Sequence, residues 1–277
     1  MSLTSTSDVP RTLLRLVSRA IVEYDMIRSG DRLLLGLSGG KDSLTLLHVL
    51  RQIREKSPVP FELGAATVDP CIEGFDPSQL KSYVPSLGVP YFYRRQDIVG
   101  RAQRNMRGDS FCAYCARMRR GVLYATARDH GYNVVVLAQH LDDLAESLMM
   151  SLCHGGRLQT MKAHYRTDAG DLRVIRPLVY VRERQTRVWA QASGLPVIVD
   201  NCPACFRIPT RRMHFKALLA EQEREHPRLF ASLLSAMRPL MGHNKLDDSD
   251  SSPLIRNNFL NFSIKKPRSS NSAEHNA

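Results

Sequence analysis

The chain has 277 residues, with 39 Lys and Arg against 27 Asp and Glu, a formal charge of +12. With 43% hydrophobic and 24% charged residues, disorder throughout and an acidic solvating role are excluded, and a sizeable core can form in one large domain or two small ones. No run approaches the ~18 apolar residues of a membrane span and the first thirty residues lack a secretory leader, so a soluble, cytoplasmic protein without a membrane partner is expected. Its positive excess points to a polyanion such as nucleic acid, or else to a generally solvated basic surface.

Residues 11–28 carry Leu13, Leu14, Leu16, Val17, Ile21, Val22 and Met26 at helical spacing with arginines between them. An arginine-rich amphipathic start also suits a mitochondrial leader. Glu23 and Asp25 interrupt it, however, and Ser29-Gly30-Asp31 runs straight into a strand, so a structural first helix is expected. Strands are then predicted at 32–37, 61–68, 89–93 and 132–138, alternating with helices at 44–53, 77–87, 113–130 and 142–153. This alternation predicts an α/β fold, a Rossmann-like parallel sheet with helices on both faces. Beyond Gly155-Gly156, residues 174–199 add a strand and a helix, and 212–225 and 227–241 form a short helical C-terminal part. From Leu246 the composition shifts to a tail expected to be mostly disordered. There Arg256, Lys265, Lys266 and Arg268 balance Asp247, Asp248, Asp250 and Glu274. The working division is therefore a functional domain at 1–245, bearing the whole +12, and a tail at 246–277.

The first strand and its helix are joined by Ser38-Gly39-Gly40-Lys41-Asp42-Ser43. Glycines let the backbone turn sharply and approach an anion, toward which the N–H groups of the following helix point. Lys41 adds a point charge and the two serines add hydroxyl donors. The spacing is neither that of a Walker A loop nor GxGxxG. SGGKDS resembles the signature of the PP-loop ATP pyrophosphatases, the adenine nucleotide alpha hydrolase-like group. That resemblance implies ATP bound by Ser38, Gly39, Gly40, Lys41, Asp42 and Ser43 and cleaved between its α and β phosphates to adenylate a substrate oxygen. Gln139-His140-Leu141-Asp142-Asp143 follows the 132–138 strand. Its carboxylates suit either the Mg2+ that accompanies ATP or the capping of a helix. Relatives commonly have the first histidine of this motif where this chain has Gln139. Asp69, at the tip of the 61–68 strand, falls where relatives face the nucleotide, as does His140.

Of six cysteines, four form the pairs Cys112/Cys115 and Cys202/Cys205. CxxC spacing suits structural zinc, an iron–sulfur cluster or a redox disulfide, and spacing alone does not choose between them. Cys71 and Cys153 read as ordinary small buried residues. The succession FCAYCARMRRGVLYATARDHG, the Asp-Asp motif, HGGRLQTM, IRPLVYVRE and DNCPACF resembles the tRNA 2-thiocytidine synthetase family over residues 11–245. The resemblance implies a [4Fe–4S] cluster on Cys112, Cys115 and Cys205, and a tRNA sulfurtransferase that adenylates the C2 oxygen of a cytidine, at position 32, and replaces it with sulfur. It further implies a sulfur donor such as a cysteine desulfurase, and admits a homodimer. By position, Asp143 is the candidate metal-holding or acid/base residue and Arg119 the candidate for stabilising developing negative charge. Other readings are a PP-loop enzyme acting on a uridine or another substrate, and a zinc-stabilised RNA-binding protein. Residues 101–120 carry six arginines and one aspartate, and 205–216 carry four basic residues and no acid. A tRNA footprint at Arg117, Arg120, Arg211 and Arg212 is therefore expected beside the cysteine pairs.

Overall fold

Six strands form one sheet in the order β3-β2-β1-β4-β6-β5, in a computed structural model that describes residues 8–72, 74–105, 111–198 and 211–242. The strands are β1 (Asp31–Gly36), β2 (Phe61–Asp69), β3 (Tyr91–Arg95), β4 (Val134–Val136), β5 (His164–Arg166) and β6 (Arg173–Ile175). All neighbours are parallel except β5, which runs antiparallel to β6 at the edge. The helices are α1 (Arg11–Glu23), α2 (Lys41–Lys56), α3 (Ser78–Ser86), α4 (Ile98–Asn105), α5 (Phe111–Asp129), α6 (Leu141–Gly155) and α7 (Glu183–Ala192), with α8 (Arg211–Glu225) and α9 (Leu229–Met241) after them. The predicted tail lies outside the described residues.

The central strand shows why the sheet is covered on both sides. Leu33 and Leu35 belong to the larger apolar cluster, with residues of α1, α2, α6, α7 and α9, whereas Leu34 belongs to a second cluster with Cys115, Leu123 and Ala127 of α5. Alternate residues of a strand point to opposite faces, so an unbroken apolar run is what a two-sided sheet requires. α1 docks through Leu13, Val17, Ala20 and Ile21, a stripe at helical spacing, and is a structural element of the domain.

The prediction departs from the structure at two short elements. β5 spans three residues, too few for a period, and folds back from β6 where a further crossover would be needed for a parallel strand. α4 is eight residues of mixed polarity. The third strand is also shifted to 91–95, since Pro90 has no N–H to give and contributes only its carbonyl, to Ala65 N at 2.9 Å.

For function, the decisive feature is the strand order. β1 connects onward to β2 on one side, while β4 lies on its other side. The chain leaving β1 and the chain leaving β4 therefore diverge at the carboxyl edge, opening the crevice in which ligands of such sheets bind.

Candidate active site

α2 and α6 start at that crevice. Gly39 has φ +85°, a conformation that glycine adopts without strain, and Gly40 caps α2. Ser38 Oγ accepts from Gly40 N at 3.3 Å and lies 3.1 Å from Ser43 Oγ, which donates to the Gly40 carbonyl at 3.0 Å. These hydroxyls brace the turn, so the first N–H groups of α2 and the positive end of its dipole are fixed before an anion arrives. Lys41 Nζ sits 3.0 Å from Asp42 Oδ2 and 2.9 Å from Glu183 Oε1. Burial works against the ammonium, but the two carboxylates outweigh it and raise its pKa. Glu183 is shared with Lys216 at 2.7 Å and Arg187 at 3.1 Å. Burial pushes its carboxyl up, yet Lys216 and Lys41 hold it well below the usual carboxylate range. Thr186 donates to Asp42 Oδ1 at 2.5 Å.

On the β4 side, His140 caps α6 reciprocally. Asp143 N donates to His140 Nδ1 at 3.3 Å and His140 N donates to Asp143 Oδ2 at 2.9 Å. His140 Nε2 lies 3.8 Å from Asp42 Oδ2, so the two loops meet through these side chains. Asp143 Oδ1 accepts from Arg212 Nη2 at 2.7 Å, and Arg212 Nε reaches the buried Glu146 at 2.7 Å. Burial pushes the Glu146 carboxyl up, against the pull of Arg212.

The pair expected to hold Mg2+ together is divided in its contacts. Asp142 accepts from Arg182 Nη2 at 3.0 Å and from Glu183 N at 2.8 Å. Arg182 also reaches Glu223 at 2.6 Å and lies 3.3 Å from the Phe230 ring centroid. Asp142 thus ties α6 to α7 and, through Arg182, to α8 and α9, while Asp143 pairs with Arg212; His140 Nδ1 lies 3.7 Å from Asp142 Oδ2 and 3.4 Å from Asp143 Oδ2. Asp69 is likewise held, accepting from Tyr93 Oη at 2.5 Å and from Cys71 N at 2.8 Å. Burial, then the bond to Asp69, pushes the Tyr93 phenol up to about 12.

α5 carries the first cysteine pair one turn apart. Cys115 is buried in the second apolar cluster, whereas the Cys112 side chain and all of Cys202 and Cys205 lie outside the described residues. Arg117 is exposed on the same helix, Arg119 and Arg120 are half-buried, and Arg119 Nε has no hydrogen-bond partner among the described residues. Arg211 is exposed beside Arg212. Two cysteines correct the expectation of burial. Cys153 is exposed because the buried stripe of α6 ends at Leu148, and Cys71 is half-buried with φ +59° in the turn after β2. Among the described residues no group of three or more His, Cys, Asp or Glu side chains gathers as a metal site. No sequence motif marks Glu183, Thr186 or Arg182 as part of this site, although Arg182 and Glu183 end the IRPLVYVRE segment.

The model of the PP-loop domain matches residues 7–217. A tRNA-cytidine(32) 2-sulfurtransferase from Geobacter sulfurreducens is 39% identical over 232 residues, covering 83% of this chain and 90% of the relative. The chain belongs to the tRNA-cytidine(32) 2-sulfurtransferase family. A further family member, from Syntrophotalea carbinolica, is 37% identical over 240 residues, covering 86% of this chain and 93% of that one. Among solved structures, the U34-tRNA thiolase NcsA from Methanococcus maripaludis with its [4Fe-4S] cluster superposes with a TM-score of 0.66 at 22% identity, covering 82% of this chain and 78% of that one. At that identity the likeness is one of fold, and it extends the family's PP-loop core to a known architecture.

Proposed function

We propose that the chain is an ATP-dependent tRNA sulfurtransferase that makes 2-thiocytidine at position 32, acting in the cytoplasm. The observation that carries this reading is the meeting of two helix N-termini, at Gly40 and His140, across the β1–β4 boundary, where Asp42 and His140 stand 3.8 Å apart. The turn after β1 has the chemistry to receive ATP phosphates, with Lys41 as its mobile charge. Asp143 is the carboxylate suited to hold Mg2+ or to handle a proton there, and Asp142 supports it as a brace.

In the first half-reaction the C2 oxygen of the cytidine attacks the α-phosphorus of ATP. An O–P bond forms, the bond to the β-phosphate oxygen breaks, and pyrophosphate leaves. In the second, a sulfur nucleophile attacks C2, the C–S bond forms, the C2–O bond breaks and AMP departs with that oxygen; where the donor is the persulfide of a cysteine desulfurase, a thiol reductant then cleaves the S–S bond and leaves as a disulfide with the donor cysteine. Arg119, half-buried with an Nε unsatisfied among the described residues, is suited to stabilise negative charge developing at the ring or phosphorus.

Cys112, Cys115 and Cys205 are the residues that would hold a [4Fe–4S] cluster. The donors are thiols one turn apart on α5, and Cys115 lies in an apolar setting, both of which suit soft iron shielded from water. When bound, the cluster would supply a soft site for sulfur.

Mass spectrometry of tRNA nucleosides from cells lacking the protein tests the reading: 2-thiocytidine is lost and 2-thiouridine retained. Loss of 2-thiouridine instead would make it a uridine thiolase, and retention of both would remove the activity. Anaerobically purified protein is expected to be brown, and Cys115→Ser to remove the colour. Colourless protein with stoichiometric zinc would replace the cluster by a structural metal.

A further inference from the structure

Two segments quoted from the sequence, HGGRLQTM and IRPLVYVRE, were given no chemistry of their own beyond the Arg182–Glu183 end of the second. They come together in a trough of about 690 Å3 between the last turns of α6, the β5–β6 hairpin and α5, lined among others by Arg120, Arg157, Lys162, Tyr165, Arg166 and Arg176. Its floor is Arg176, which is 4% exposed. Among the described residues all its contacts are neutral: Nε donates to Gln139 Oε1 at 2.9 Å, Nη1 donates to the Lys162 carbonyl at 2.6 Å, and the guanidinium lies 5.3 Å from the Tyr165 ring centroid. A buried arginine keeps its proton, so this is a desolvated positive charge with no counter-charge among the described residues, a costly arrangement unless an anion completes it.

The rim is also uncompensated. Among the described residues, neither Arg176 nor Arg120, Arg157, Lys162 or Arg166 has a carboxylate within 4.0 Å, and Asp168 is the sole acidic residue of the lining. The contrast with the neighbouring crevice is chemical. There Arg182 and Arg212 each engage two carboxylates. The trough shares Arg120, Tyr165 and Asp168 with a second groove of about 850 Å3 along α5, to which Arg94 and Arg117 contribute. The combined surface is longer than one phosphate needs and fits a stretch of polyanion.

Its position gives it a use. Arg176 follows β6 and Gln139 follows β4, so the Arg176 end of the trough lies at the same carboxyl edge as the ATP turn, while Arg166, paired with Arg173 in the antiparallel hairpin, lies at its far end. Gln139 is followed at once by His140, whose ring faces Asp42 and Asp143. The ATP turn itself lies beyond β4, at β1. An occupant of the trough is thus separate from the triphosphate and adjacent to the reacting crevice.

We infer that this trough seats the sugar–phosphate backbone of the RNA substrate, with a phosphodiester on Arg176 and the flanking phosphates on Arg120, Arg157, Lys162 and Arg166, so that a neighbouring nucleotide is presented to the crevice. The inference rests on the tRNA sulfurtransferase reading. These side chains are positioning residues, and phosphate contacts of this kind set register without reading sequence.

The test uses full-length protein and unmodified tRNA. Arg157→Glu/Arg166→Glu changes two exposed side chains, whereas removing Arg176 risks the fold. The double variant is expected to raise the tRNA Kd at least roughly ten-fold and to lower the slope of log K against log salt by about two. ATP affinity and thermal midpoint should stay unchanged. Arg15→Glu, on the exposed side of α1, is the charge control and should move none of these. A double variant no weaker for tRNA than the control would overturn the inference while leaving the sulfurtransferase reading intact. Weakened binding of ATP or pyrophosphate without loss of tRNA affinity would also overturn it, assigning the trough to nucleotide phosphates. A wild-type protein that binds no tRNA would remove both readings.

Discussion

Gly39 has two reasons to be glycine. Its φ is +85°, and a Cβ built there would fall 2.5 Å from Ile198 Cδ1 and 2.9 Å from Ile198 Cγ1. The same residue is tied to that segment, because Ile198 N donates to its carbonyl at 2.9 Å. Gly39→Ala is therefore expected to cost about 1–3 kcal/mol of stability through backbone strain and to weaken ATP binding as the turn shifts, read by denaturation and by nucleotide titration. Among the described residues an alanine Cβ at Gly40 would meet only Ser38 Oγ, at 3.4 Å, and should be the milder change. At this scale the sequence was informative where a motif is contiguous: Ser38 to Ser43 and His140 to Asp143 occupy the crevice edge. It was silent on Glu183 and Thr186, which reach Lys41 and Asp42 from more than 140 positions along the chain. Nor does an acidic pair in a first helical turn reveal its partners: Arg182 takes Asp142 and Arg212 takes Asp143.

Arg182 is where single elements become an assembly. It joins Asp142 of α6 to Glu223 of α8 and lies over Phe230 of α9, so one guanidinium links three helices, beside the ties that Arg212 makes to Asp143 and Glu146 and Lys216 makes to Glu183. The hydrogen bond from Arg182 is the largest cause holding the Glu223 carboxyl below its ordinary value. A carboxylate depressed in the folded state contributes stability that is present above its unfolded pKa and is lost as pH falls through its folded pKa. Glu223→Gln should accordingly be destabilised by about 1–2 kcal/mol at pH 7, as expected for a half-buried ion pair. The gap to the wild type should narrow once the pH drops below the ordinary glutamate range, near 4.5, as urea denaturation at neutral and acid pH would reveal. The element order itself was largely legible, since long amphipathic helices and apolar strands carry strong periods. β5 was not, because three residues carry no period and its pairing depends on a turn from β6.

Charge is a property of the whole molecule, and counting it along the chain located only part of its use. The blocks at 101–120 and 205–216 stand out because they contain almost no acid. The trough cations at 157, 162, 166 and 176 are diluted in sequence by Asp168 and Asp171, and Asp171 is drawn away to Arg128. Only folding separates that acid from the basic surface. The same reasoning proposes an end for the functional body at Lys245. Residues 246–277 contribute no net charge, so a chain ending at Lys245 should keep its thermal midpoint, tRNA affinity and salt slope. A chain ending at Arg228 removes α9, and with it the buried Phe230, Met237 and Met241, the ring against Arg182, and the Met241 carbonyl that accepts from Ala163 N at 3.1 Å beside β5. Losing three buried side chains of that size costs on the order of 5 kcal/mol, a large share of the stability of a typical domain. The shorter chain is expected to lose cooperative unfolding by calorimetry. If it melted like the wild type, α9 would be an appendage and the brace through Arg182 would have no structural weight.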